Sequence, residues 1–100
     1  MLKHVVMWRF KEGADGKTRK EHAEWMKENL ERLPEMIPEI CSLEVGVNKC
    51  TGDMAYDAVL ISVFRSTDDL KKYKEHPEHK KVSAYCKQVR ESRSVVDFEF

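Results

Sequence analysis

Residues 2–10 are Leu2-Lys3-His4-Val5-Val6-Met7-Trp8-Arg9-Phe10, and the alternation of their side chains is typical of a β-strand. Successive side chains of a strand point to opposite faces of its sheet. One face would carry Leu2, His4, Val6, Trp8 and Phe10, and the other Lys3, Val5, Met7 and Arg9. Both sets contain apolar side chains, so the pattern predicts a strand that is covered on both sides.

Three further strands follow from the same kind of pattern. The stretch from about Tyr56 to Phe64 is again apolar on both faces. A strand from about Ile40 to Asn48 precedes it, and the last strand is predicted over Ser94 to Phe100. The first and third predicted strands therefore carry apolar side chains on both faces of the sheet.

Helical spacing of apolar residues predicts helical segments between these strands. The first covers about residues 18–32; after the third strand, a short helix capped at Ser66 ends near Tyr73, and another begins after His76-Pro77. The order is β-α-β-β-α-β, which predicts a ferredoxin-like α+β subunit with a four-stranded antiparallel sheet. Because the helices can cover only one face of that sheet, we expect a homodimer through the other sheet faces.

Length and charge restrict the classes of function. One hundred residues predict a single domain over residues 1–100. Lys+Arg and Asp+Glu both total 18, so the formal net charge is zero, which argues against a general nucleic-acid binder. Basic clusters such as 17–20 and Lys80-Lys81 are interpreted as solvated helix faces. No apolar run approaches about 18 residues, so we expect no membrane span.

The cysteines indicate a reducing environment. Cys41, Cys50 and Cys86 are odd in number and show no CxxC spacing, which favours reduced thiols in the cytosol. Strand-like sequence begins directly after Met1, with no apolar leader. We therefore expect a cytoplasmic protein.

The segment Tyr73-Lys74-Glu75-His76-Pro77-Glu78-His79 concentrates polar chemistry. Proline is tolerated at the first position of a helix, so Pro77 predicts a helix start, with His76 at the cap and His79 in the first turn. A zinc site needs three or four convergent ligands, and only two histidines are local here. We therefore expect neither a metal nor another cofactor.

Nearly the whole chain resembles the stress-responsive A/B barrel domain (Dabb) family. The resemblance is carried by residues 2–11, 37–40, 43–46, 56–57, 64–66, 70–73, 76–79 and 95–98. It implies a dimeric α+β barrel of ferredoxin-like subunits. That architecture agrees with the topology predicted from the pattern of strands and helices.

The resemblance also implies a candidate site. In a plant member, olivetolic acid cyclase, a tyrosine and a histidine that match Tyr73 and His79 perform the acid–base work of a cofactor-free aldol cyclisation. Residue types that match His4 and Asp97 lie near its pocket. The plant enzyme differs in having a further histidine at the position of Ala58. It also carries bulky aromatic residues on the first helix, where this chain has His22, Ala23 and Met26.

Two classes of function remain open for the candidate residues. In one, His4, Tyr73, His79 and Asp97 line the polar end of an apolar cavity that binds or transforms a small apolar carbonyl compound, by cofactor-independent chemistry of the cyclase/lyase or monooxygenase type. His79 would then be the base, Tyr73 would stabilise an enolate oxygen, and Asp97 would fix the tautomer of His79. In the other, the protein is a non-enzymatic stress-response or ligand-binding dimer in which these side chains are structural. A cavity of a few hundred Å³ that receives Tyr73 and His79 would favour the first.

Overall fold

The computed structural model describes all 100 residues. Its strands are β1 (Leu2–Phe10), β2 (Ser42–Val47), β3 (Ala58–Phe64) and β4 (Arg90–Glu99), and its helices are α1 (Arg19–Leu30), α2 (Thr67–Glu75) and α3 (Pro77–Val89). Two 3-10 turns, Ala14–Gly16 and Leu33–Glu35, precede and follow α1. The order along the chain agrees with the predicted β-α-β-β-α-β order, in which α2 and α3 together form the second helical segment.

The four strands form one antiparallel sheet in the order β2-β3-β1-β4. β1 is central, and its Val5 lies opposite Ile61 of β3 on one side and Val96 of β4 on the other. In the same way His4 lies opposite Ser62 and Asp97. This topology is the ferredoxin-like fold predicted from the sequence.

The helices cover one face of the sheet. The β1 side chains expected to share a face are all buried, namely Leu2, His4, Val6, Trp8 and Phe10. On β3 the buried residues are Ala58, Leu60, Ser62 and Phe64. From the helices, Met26, Leu30, Leu70, Tyr73 and Val82 join the same core. The period-2 pattern of β1 therefore predicted correctly which side chains enter the core.

The opposite face of the sheet carries no helix and remains largely apolar. Across its centre, Val5 is flanked by Ile61 and Val96, and the next row pairs Lys3 with Val63 and Phe98. Val96 and Phe98 are exposed. Such an apolar sheet face is unusual on the outside of a small monomer.

The largest difference from the predicted boundaries is at the last strand, which begins at Arg90 rather than Ser94. Its first residues pair with the end of β1, since Arg93 lies opposite Trp8 and Arg90 opposite Phe10. β4 is an edge strand that is mostly exposed on both faces, so its early part lacks the apolar alternation that identifies a strand. β2 and β3 are also shorter than predicted, beginning at Ser42 and Ala58.

The predicted helix starts are confirmed by their caps. The Thr18 hydroxyl accepts a hydrogen bond from the Glu21 N–H, and the Glu21 carboxylate accepts one from the Thr18 N–H. Ser66 caps α2, and His76 caps α3 directly before Pro77. Each cap satisfies N–H groups that the first helical turn leaves unpaired. No helix combines the length and the apolar character needed to cross a membrane.

Candidate functional site

A partly open cavity of about 340 Å³ lies between the helices and the helix-covered face of the sheet. Its apolar wall is formed by Val6, Trp8, Met26, Leu30, Leu60, Val82 and Cys86. Its polar part is formed by His4, Tyr73, Lys74, His79, Ser83, Lys87, Arg90 and Arg93. A small organic ligand fits a space of this size and composition.

Tyr73 is the most informative side chain of this cavity. It lies near the end of α2, it is 0 % exposed, and its hydroxyl has no hydrogen-bond partner. Burial raises the pKa of the phenol above its ordinary value, so the group keeps its proton. A buried hydroxyl without a partner costs about 1–3 kcal/mol. Tyr73 therefore offers the cavity an unused hydrogen-bond donor.

His79 lies in the first turn of α3, as predicted, and packs against Tyr73 with a ring-centroid distance of 4.3 Å. Its Nδ1 atom lies 3.2 Å from the Lys74 carbonyl oxygen. A carbonyl oxygen can only accept, so Nδ1 carries the proton of the neutral ring and Nε2 keeps a lone pair. Burial lowers the pKa of His79 to about 4, against the opposing effect of that hydrogen bond. The imidazole is therefore neutral at pH 7.

His4 enters the same cavity from the centre of the sheet and is held by Asp97. Its Nδ1 atom is 2.5 Å from the Asp97 Oδ1 atom, and its ring lies 6.4 Å from that of Tyr73. Burial lowers the pKa of His4, and the hydrogen bond and charge of Asp97 partly counteract this effect. Because a carboxylate accepts the Nδ1 proton, the Nε2 atom of His4 is the one left to accept.

The predicted pairing of His79 with Asp97 is wrong. Asp97 lies opposite His4 across the β1–β4 ladder and bonds to it, whereas His79 is held by the Lys74 carbonyl. The structure thus places His4, Tyr73 and His79 in the cavity wall, while Asp97 supports His4 without lining the cavity.

Other histidines have purely structural partners. The Nδ1 atom of His76 accepts a hydrogen bond from the Glu78 N–H at 3.1 Å, as expected of a cap. His22 is fully buried between the Tyr85 hydroxyl and the Ala14 carbonyl, each at 2.8 Å. No group of three or more histidine, cysteine, aspartate or glutamate side chains is arranged to hold a metal ion.

Sequence reasoning missed the basic residues at the cavity. Lys87 shares a helix face with His79 and Ser83 at i, i+4 spacing, a signal that was available in the sequence. Arg93 comes from the part of β4 that was not predicted as a strand, and faces the cavity because it lies opposite Trp8.

A larger depression of about 740 Å³ lies beside the loop between β2 and β3. Its wall is mainly polar and includes no histidine. There Asp57 accepts hydrogen bonds from the Phe10 N–H and from both Nε and Nη2 of Arg19. These contacts tie α1 and β1 to the loop. The smaller cavity is therefore the candidate site.

The candidate site combines one hydrogen-bond donor and two proton acceptors in a cavity with an apolar wall. The Tyr73 hydroxyl can donate to a carbonyl oxygen, and the Nε2 atoms of His79 and His4 can each accept a proton. Removal of a proton beside a carbonyl group needs this combination of a base and an oxyanion donor.

Comparison with known proteins identifies the family. The family model described as "Stress responsive A/B Barrel Domain" matches residues 2–100. A dimeric protein of unknown function with a ferredoxin-like fold from Bacteroides fragilis is 33% identical, with a TM-score of 0.85 over 99% of this chain and 95% of that one. A dimeric ferredoxin-like protein of unknown function from Thermobifida fusca is 23% identical, with a TM-score of 0.82 over 99% and 90% of the chains.

An enzyme also shares the fold. Hydroxynitrile lyase from Passiflora edulis is 15% identical, with a TM-score of 0.78 over 97% of this chain and 90% of that one. At this identity the likeness concerns the fold alone. A search of the curated proteins found no match. On its family model and its similarity to the Bacteroides fragilis protein, the chain belongs to the stress responsive A/B barrel domain family.

Proposed function

We propose that the protein is a small, single-domain cytosolic homodimer that binds and transforms a small apolar carbonyl compound without a cofactor. The reaction takes place in the cavity lined by His4, Tyr73 and His79. The observation that carries this proposal is Tyr73, which lines the cavity and whose fully buried hydroxyl has no partner in the protein. A ligand carbonyl oxygen provides the missing acceptor.

Tyr73 acts as the oxyanion donor. When a proton leaves the carbon next to the carbonyl group, negative charge develops on the oxygen, and a donor in a low-dielectric site stabilises it strongly. The raised pKa of Tyr73 keeps the hydroxyl protonated for this purpose.

His79 acts as the proton acceptor. Its Nδ1–H donates to the Lys74 carbonyl, which orients the ring and leaves Nε2 as the basic atom. The pKa of about 4 keeps the ring neutral at pH 7 but makes it a weak base. The bound substrate must therefore be readily enolised, as a β-dicarbonyl compound is, or be activated by its hydrogen bond to Tyr73.

His4, which is held by Asp97, supplies the other side of the polar part of the cavity. The carboxylate holds the imidazole in one tautomer, with Nε2 available to a second polar atom of the ligand. Asp97 is thus a positioning residue that acts through His4.

Homodimer formation is supported by the uncovered face of the sheet. Val5, Ile61 and Val96 form its apolar centre, and a second copy of the same face would bury them around a twofold axis. The related proteins from Bacteroides fragilis and Thermobifida fusca are described as dimeric.

Proton exchange tests the chemistry without knowledge of the natural substrate. The protein is incubated with 2-octanone and with ethyl acetoacetate in D2O, and loss of the α-protons is followed by proton NMR. We expect exchange above the buffer rate, reduced about a hundredfold by His79→Gln and by Tyr73→Phe. His76→Asn keeps the helix cap and is the matched control, which should exchange like the wild type.

The low pKa of His79 favours a second candidate, a ligand-binding module without turnover. In that case NMR would show carbonyl ligands in the cavity, with shifts that Tyr73→Phe abolishes, while α-proton exchange stays at the buffer rate. Binding that is unaffected by Tyr73→Phe would contradict both functions.

A further inference from the structure

The polar end of the cavity is strongly cationic. Its wall includes Lys74, Lys87, Arg90 and Arg93 and no aspartate or glutamate at all. None of these four side chains forms a salt bridge; the five salt bridges of the protein involve other cations. The net charge of the whole chain is zero, so the excess of positive charge is a property of this cavity and not of the protein as a whole.

The four cations converge from different elements. Lys74 comes from the end of α2, Lys87 from the last turn of α3, and Arg90 and Arg93 from β4. The positive charges of Arg93 and Lys74 add to the effect of burial in lowering the pKa values of His4 and His79. Both residues line the cavity together with His4 and His79, so an anion bound there would lie close to their positive charges.

We infer that the ligand of this cavity is an apolar carboxylate whose anionic group sits at the cationic mouth. The inference rests on the proposed function, since it places the carboxylate of the same ligand whose carbonyl group meets Tyr73. Arginine is suited to this role because its planar guanidinium binds a carboxylate with two parallel hydrogen bonds.

The two ends of the ligand have separate surroundings. The apolar body lies against Val6, Leu30 and Leu60, while the carboxylate lies near Arg93 and Lys87. Because Tyr73 and His79 lie in the polar part as well, a keto group close to the carboxylate would meet both kinds of partner. The structure thus favours keto carboxylates over neutral ketones.

Isothermal titration calorimetry with matched ligands tests this inference. The protein is titrated with the straight-chain carboxylates from butanoate to decanoate and with the corresponding neutral amides. We expect the preferred carboxylate to bind at least about tenfold more tightly than its amide, which corresponds to about 1.4 kcal/mol. The preference should shrink as salt is raised, because the charges lie at a solvent-accessible mouth.

Charge variants locate the effect. Lys87→Gln combined with Arg93→Gln should remove the preference for the carboxylate over the amide, and continued binding of the amide would show that the cavity is intact. Lys71→Gln, on the exposed side of α2 and outside the cavity wall, is the matched control and should keep the preference.

The outcomes separate the two proposals. Equal binding of amide and carboxylate, or a preference that survives Lys87→Gln with Arg93→Gln, overturns the inference while the cavity remains a ligand site. If no member of either series binds, the inference is overturned, and the proton-exchange experiment decides the proposed function separately.

Discussion

His4 Nδ1 and Asp97 Oδ1 lie 2.5 Å apart, and the two residues face each other directly across the ladder between the first and last strands. The His4 side chain is 3% exposed, whereas the Asp97 side chain is 35% exposed. A solvent-accessible carboxylate therefore controls the orientation of a buried ring at the candidate site.

Asp97→Asn is expected to weaken that control. The amide removes the negative charge that raises the pKa of His4, so the pKa should fall further below its ordinary value. Because the carboxylate is partly solvated, the loss of unfolding free energy should be modest, about 1 kcal/mol. NMR titration of the histidine ring signals and urea denaturation measure the two effects. Glu99→Gln, the exposed neighbour on the same strand, should leave the titration of His4 unchanged.

Tyr73→Phe is expected to stabilise the fold while reducing function. The hydroxyl is buried without a partner, so its removal should raise the unfolding free energy by about 1–3 kcal/mol. Tyr85→Phe is the matched control, because its hydroxyl bonds to His22 at 2.8 Å and its removal should destabilise by a similar amount. Thermal and urea unfolding compare the two variants. Destabilisation by Tyr73→Phe would show that its hydroxyl is bonded in the folded protein.

Stability should decrease in mild acid. The pKa of His79 is lowered to about 4 and that of His4 is also lowered, while both are near 6.5 in the unfolded chain. Between these values the unfolded state binds more protons, so unfolding free energy falls as pH falls from about 6.5 towards 4. Urea unfolding at a series of pH values measures the slope. His79→Gln should flatten it, and an unchanged slope would contradict the low pKa of His79.

Val5→Lys should separate the dimer. Val5 lies at the centre of the uncovered sheet face between Ile61 and Val96, where a buried unpaired charge would be costly in an interface. Size-exclusion chromatography with light scattering should show a monomer for this variant and a dimer for the wild type. Gln88→Lys adds the same charge at an exposed site on α3 and should remain dimeric. A wild-type monomer would contradict the proposed interface.

Much of the fold follows from local patterns. The alternation of β1 identified its core face correctly, and Ser66 and Pro77 marked two of the helix starts. The early part of β4 was missed, because an exposed edge strand needs no apolar residues and its backbone pairs with β1 all the same. For this reason Arg93 was not predicted to belong to the candidate site.

Local sequence patterns specify the order of the elements, the apolar character of both faces of β1 and the cap formed by His76, since each depends on neighbours along the chain. Three other features come from the packing of the elements. Asp97 bonds to His4 rather than His79, the Tyr73 hydroxyl has no partner, and four cationic side chains line one cavity. Strand register sets the first of these contacts, and a shift of one residue would turn Asp97 to the other face of the sheet. The others depend on how α2 and α3 pack over β1, which no local pattern specifies.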